Sequence, residues 1–232
     1  MKSTIEAATK FIYPYLWPKL SILLCAQAMT NLDPTPGEAV LAPTLARSQP
    51  VHGEVDSVRC LVREATRNDH LRIDRAMSSL QLTDRVSYSI FLNVHYRALR
   101  ALAGRWRARD QADFSVLSLC LVDDLQTLEC PVSRLVGTAR RAEPNLLHQW
   151  GIAYVIRGSR LGGAILRQRV PATYPTSYLA YALNITWPEF LKQFDHETQA
   201  IDREAHGQII RGAKQAFEAF TAAAVSFGLR NE

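Results

Sequence analysis

His70 is the residue in this chain best placed to hold a metal. On a helix, Arg63, Thr66, Arg67, His70, Asp74 and Met77 fall on one side, because residues three, four and seven apart share a face. A neutral imidazole can ligate a metal such as haem iron through one ring nitrogen. Such a ligand needs an acceptor for its other N–H, which fixes the tautomer. Asp74, one turn later, is the candidate acceptor, directly or through water. Arg63 lies two turns earlier, roughly 10 Å along the axis. A cation there could pair with a carboxylate at the rim of a ligand whose metal sits at His70.

A second group lies in Tyr154-Val-Ile-Arg-Gly158-Ser159-Arg160-Leu161-Gly162-Gly163-Ala-Ile-Leu166. The stretch reads as a helix, and each interior glycine costs a helix about 1 kcal/mol relative to alanine. Gly158, Gly162 and Gly163 therefore need a reason. Gly158 and Gly162 sit one turn apart on one face, where bare backbone can lie against something flat. A lid over a planar ligand is one reading, and close packing between two helices is the other. These residues alone do not choose between them.

The remaining candidates exclude more than they suggest. His95 reads as an interior polar residue of a helix and His52 lies in a linker. His148, His196 and His206 show neither HExxH spacing nor the carboxylates of a di-iron site. No GxSxG elbow and no phosphate-binding P-loop is present. The net charge of +5, carried mostly by arginine, suits an anionic small molecule or an acidic protein partner. Nucleic acid is not an expected partner, since no zinc finger, dense basic block or aromatic–glycine RNA signature is found. Cys25, Cys60, Cys120 and Cys130 show no CxxC spacing, which predicts reduced thiols and a cytoplasmic protein.

The elements that position these residues read as all-α. At 232 residues and 47% hydrophobic composition the chain can form one domain plus an appendage. Residues 1–56 are expected to be an N-terminal extension and linker, poorly ordered or loosely packed, with prolines and glycines crowding 30–56. Lysines at 2 and 10 precede an apolar stretch, but Leu24 before Cys25 is a poor lipoprotein cleavage site, and an amphipathic appendage is the expectation. No segment supplies the ~18 uninterrupted apolar residues of a membrane span. From residue 57 the pattern is helical, giving a helical domain over 57–232. The first helix is expected over 57–80. Thr83 or Asp84 caps a second that runs to Gly104, and Asp113 opens a third that stops before Pro131. Asn145 caps the helix leading into the glycine stretch. Thr186-Trp187-Pro188-Glu189 is a capping box for the next, and Gly228 terminates the last.

The two chemical groups together resemble haem oxygenase. Glu64-Ala65-Thr66-Arg67-Asn68-Asp69-His70 is similar to that family's proximal-helix motif. Arg160-Leu161-Gly162-Gly163, within 154–166, resembles the kinked distal helix of the bacterial branch associated with bacteriophytochromes. Leu82-Thr83-Asp84-Arg85 with Tyr88 and Phe91-Leu92, Trp187 to Leu191, and Ala213-Lys214-Gln215-Ala216-Phe217 are weaker matches. The resemblance spans about residues 57–227.

It implies a single-domain helical bundle with a kinked distal helix, and oxidative cleavage of haem to biliverdin, carbon monoxide and ferrous iron. Haem would be substrate and cofactor, with dioxygen and electrons from a reductase, ferredoxin or small reductant. Partners implied are an electron-donor protein and a bacteriophytochrome receiving biliverdin, with no membrane. By the same resemblance His70 is the axial iron ligand, and Arg63, Asp74, Tyr154 and Arg160 belong to the haem site. Gly158, Ser159, Gly162 and Gly163 form the catalytic distal side. The chain departs from the pattern in two places. Ser159 stands where some members carry an aspartate, and Arg157 stands where close relatives usually carry an acid. A cation at 157 could bind a propionate, alter haem seating or point into solvent, which keeps a non-catalytic haem-binding protein for storage, delivery or sensing as the alternative.

Overall fold

Short polar side chains start several of the helices. The computed structural model describes residues 57–133 and 145–229; the expected N-terminal extension and His52 lie outside these residues. Asp84 accepts from Ser87 N–H at 2.8 Å and opens the helix Arg85–Leu102. Asn145 accepts from His148 N–H at 3.1 Å and opens Leu146–Ser159. At Trp187–Thr198 the capping box is complete, with Thr186 N–H donating to the Glu189 carboxylate at 2.7 Å and the Thr186 hydroxyl oxygen accepting from Glu189 N–H. Each such cap is worth about 1 kcal/mol because it satisfies backbone donors that the helix itself leaves unpaired.

In chain order the α-helices are α1 Val58–Ala65, α2 Arg67–Ser78, α3 Arg85–Leu102, α4 Gln111–Thr127, α5 Leu146–Ser159, α6 Gly163–Arg167, α7 Ser177–Ala180, α8 Trp187–Thr198 and α9 His206–Ser226. No strand occurs among the described residues. The architecture is an all-α bundle. Phe114, Phe190 and Phe194 are fully buried, as are Leu117, Leu121 and Leu125 along α4, each contributing about 1.5–3 kcal/mol by leaving water. Helix α9 packs on α1, α2, α3 and α5. It stops where Gly228 takes a positive φ of 77°, the left-handed conformation that favours glycine after a helix.

Two sequence expectations are corrected. The helix expected over 57–80 is two helices, broken at Thr66 with φ −111° and ψ 4°. The buried Thr66 hydroxyl donates to the Val62 carbonyl at 2.8 Å, a local bond that competes with regular helix and bends it. Arg63 and His70 therefore stand on different helices. Asp113 does not open the third helix either. That helix starts at Gln111, and the Asp113 side chain is fully buried with its carboxylate committed elsewhere.

Candidate functional site

His70 lies on α2 against the last helix. Its ring stands 5.4 Å from that of Phe217 on α9. One turn on, Asp74 brings a carboxylate oxygen to 3.6 Å from His70 Nε2, with each side chain keeping just over a quarter of its surface exposed. Desolvation pushes the imidazole pKa down to about 4 and the Asp74 carboxyl up to about 7. The ring is therefore neutral at neutral pH, the form whose lone pair can bind a metal. The Asp74 contact is longer than a direct hydrogen bond, and it falls on Nε2. Arg63, at the end of α1, is exposed.

The distal stretch is kinked as expected. Helix α5 ends at Ser159, Arg160–Gly162 form a 3-10 turn, and α6 resumes at Gly163. Tightening from four-residue to three-residue bonding re-aims the chain within one turn. The glycines around this kink do different work. A Cβ built on Gly158 would meet only the Trp187 indole, at 3.5 Å, an ordinary van der Waals distance. A Cβ on Gly163 would stand 3.2 Å from the Leu179 carbonyl oxygen and 3.5 Å from the Arg160 guanidinium. Gly162 is buried in the turn.

Close helix packing is real in this molecule, but it uses other glycines. A Cβ on Gly151 would overlap the Ile209 carbonyl oxygen and stand 2.6 Å from Ala213 N, while one on Gly212 would overlap the His148 carbonyl. Helices α5 and α9 cross there backbone to backbone. Helix α9 thus carries both the ring behind His70 and the crossing that fixes the distal helix.

The other distal candidates are anchored. Ser159 donates its hydroxyl to the Ile156 carbonyl at 2.8 Å. Arg160 donates through Nη2 to the carbonyls of Tyr178 (2.6 Å) and Leu179 (3.4 Å), its guanidinium lying 4.4 Å from the Tyr178 ring. These bonds tie the kink to α7. The Tyr154 ring packs against Trp187 at 5.3 Å and Phe194 at 5.5 Å. Beside Arg160, His95 sits among Phe91, Tyr178 and Phe220, with Nδ1 2.9 Å from the Phe91 carbonyl. That bond requires Nδ1 to carry the proton, and burial lowers the pKa to about 4, so the ring is neutral. The interior setting expected for His95 is what the structure has.

Arg157 does not point into solvent; its guanidinium is engaged inside the fold. Its side chain is 2% exposed. Nε and Nη2 both donate to Asp110 Oδ1, at 3.0 and 2.7 Å, Nη2 also donates to Asp113 Oδ2 at 3.0 Å, and Nη1 reaches the Ile185 carbonyl at 3.4 Å. Asp110 is shared with Arg107, which grips it with Nε and Nη2 and stacks 3.7 Å from the Trp150 ring centroid. Asp113 accepts in turn from Tyr181 O–H and Asn184 N–H, each at 3.2 Å. Sequence reasoning missed this cluster, and also Trp187 as the neighbour of Gly158, because the partners of Arg157 lie 28 to 47 residues away and those of Asp113 up to 71. Among the described residues no group of three or more His, Cys, Asp and Glu could hold a bare metal ion.

The fold is that of haem oxygenase. The chain is similar to the haem oxygenase of Neisseria meningitidis, solved in NO- and CO-bound forms, with a TM-score of 0.60 over 76% of this chain and 94% of that one. At 18% identity the likeness shows the fold alone. No family model and no curated protein matches the sequence. No helix among the described residues is long and apolar enough to cross a membrane.

Proposed function

We propose that the protein is a haem oxygenase that cleaves haem to biliverdin, carbon monoxide and ferrous iron. The observation that carries the proposal is Gly158. The fold leaves room for a Cβ there, and an alanine would favour the helix. Glycine where packing does not demand it is a place where backbone can approach a ligand closely, here beside the Trp187 indole. A neutral His70 backed by Asp74 supplies a donor of the type haem iron takes.

In this reading His70 would be the axial ligand, and Asp74 would orient its ring. Arg63 and Tyr154 would meet the edge of the porphyrin. Gly158, Gly162 and Gly163 would leave space for dioxygen. Ser159 and Arg160, whose bonds hold the kink, would keep that backbone in place, and the surrounding aromatic side chains would exclude water. Haem, substrate and cofactor at once, supplies the redox chemistry. Electrons would come from a reductase, a ferredoxin or a small reductant. The distal motif favours a cytoplasmic role in which biliverdin passes to a bacteriophytochrome.

The test is to mix the protein with haemin and ascorbate in air. Loss of the Soret band with growth of bilin absorbance and chelatable ferrous iron is expected. A Soret band that persists under these conditions points to storage or delivery instead. That alternative rested on Arg157 as a cation available to haem, and engagement of its guanidinium inside the fold withdraws that support.

A further inference from the structure

Arg157 and the glycine after it belong to one mechanical unit. Three segments meet on the Arg157 guanidinium: the turn before α4 through Asp110, the first turn of α4 through Asp113, and the 181–187 connection through the Ile185 carbonyl. Asp113 reinforces the last of these by accepting from Tyr181 and Asn184. The same connection delivers Trp187, whose indole lies over Gly158. One planar cation thus fixes both the backbone at 158 and the ring that covers it. A guanidinium suits this role because its fork of donors can engage two carboxylates and a carbonyl at once, which an ammonium cannot. The charges match inside the fold, with Arg107 and Arg157 facing Asp110 and Asp113, so burial is compensated.

We propose that Arg157 is a positioning residue for the distal side: it sets the height of Gly158 and the placement of Trp187, and through them the space above a bound porphyrin. The inference rests on the oxygenase reading for its effect on chemistry, but the clamp itself is a property of the protein without haem. Arg157→Lys keeps the charge and loses the fork. Arg157→Gln with Asp113→Asn replaces the ion pair by amides that can bond each other, which guards against simple unfolding from a stranded carboxylate. Arg109→Gln, a nearby exposed arginine bonded to Gln193, is the control.

Hydrogen exchange on the haem-free proteins should show faster exchange over 156–163 and 181–187, and over the 110–113 turn that shares the clamp, in both Arg157 variants, with protection elsewhere and in the control unchanged. With haem bound, the Soret band and haem affinity should stay as in the parent, while the C–O stretch of the ferrous carbonyl shifts and a second biliverdin isomer appears. Turnover should fall by up to roughly 10²-fold, the scale of a 1 Å misplacement of reacting groups. Folded variants with parental exchange over 156–163 and 181–187 would overturn the clamp, whatever haem does. Faster exchange with parental C–O stretch and isomer pattern would overturn its positioning role. If the parent protein leaves haem intact, the oxygenase reading fails while the exchange experiment still decides whether Arg157 holds the segment.

Discussion

Gly151 and Gly158 lie two turns apart on one helix and are glycines for opposite reasons. At Gly151 the C-terminal helix leaves no space: a Cβ would overlap the Ile209 carbonyl oxygen, and Gly212 is matched to His148 in the same way from the other side. At Gly158 a Cβ would meet an indole edge at an ordinary distance. The first glycine is demanded by packing and the second is not. A glycine in a helix therefore carries functional information only after its surroundings have been asked whether they could accept alanine. The glycines that first drew notice in the sequence were open to both readings, and the structure assigns the packing role mainly to a different pair.

The sharpest way to break the comparison is to add the missing Cβ at each place. Gly151→Ala or Gly212→Ala should destabilise the haem-free protein by about 3 kcal/mol or more, at or beyond the upper end for overpacking, because rigid backbone is in the way. Denaturant melts measure this directly, and a cost near zero would mean that the crossing relaxes freely. His70→Ala sharpens the other half: the histidine-ligated haem spectrum should vanish while the fold melts as before. An unchanged spectrum would place the ligand on another side chain.

Next in size is the His70–Asp74 pair. Asp74 has a raised folded pKa of about 7, so its contribution is present below the ordinary carboxylate range near 3.8 and is lost as pH rises through 7. His70 has a lowered folded pKa of about 4, so its contribution is present above about 6.5 and is lost as pH falls through 4. The two slopes oppose each other between pH 4 and 7. Asp74→Asn should remove one of them, stabilising the haem-free protein above pH 7 by on the order of 2 kcal/mol and leaving stability that climbs from pH 4 to 6.5. Melting curves across that range check it, and an unchanged pH profile would show that Asp74 is not desolvated. Smallest is Gly158→Ala, which should stabilise the haem-free protein by up to about 1 kcal/mol yet slow haem turnover. A loss of stability like that of Gly151→Ala would erase the distinction between the two glycines.

What the sequence made legible was local. Asp84, Asn145 and the Thr186–Glu189 box cap their helices because the donors they satisfy lie within three residues. The all-α class followed from sustained helical periodicity, while the distal kink was expected only from the resemblance of Arg160-Leu161-Gly162-Gly163 to the haem oxygenase distal helix. Non-local pairing escaped it. Asp113 looks like a helix opener by every local rule, yet its carboxylate answers a guanidinium 44 residues away. Arg157 was open to a propionate, to altered haem seating or to solvent, because nothing near it in sequence could bury it. The break at Thr66 was hidden too, since threonine is tolerated in helices and only its bond to Val62 reveals the bend.

Helix α9 has one further consequence. Phe217 rests on His70, and four to eight residues earlier the same helix is jammed against the distal one. The two faces of the candidate site therefore hang from a single beam. A small roll of that beam would carry both faces together rather than one past the other, so their spacing is governed by the last twenty-odd residues of the domain, where neither the histidine nor the kink resides.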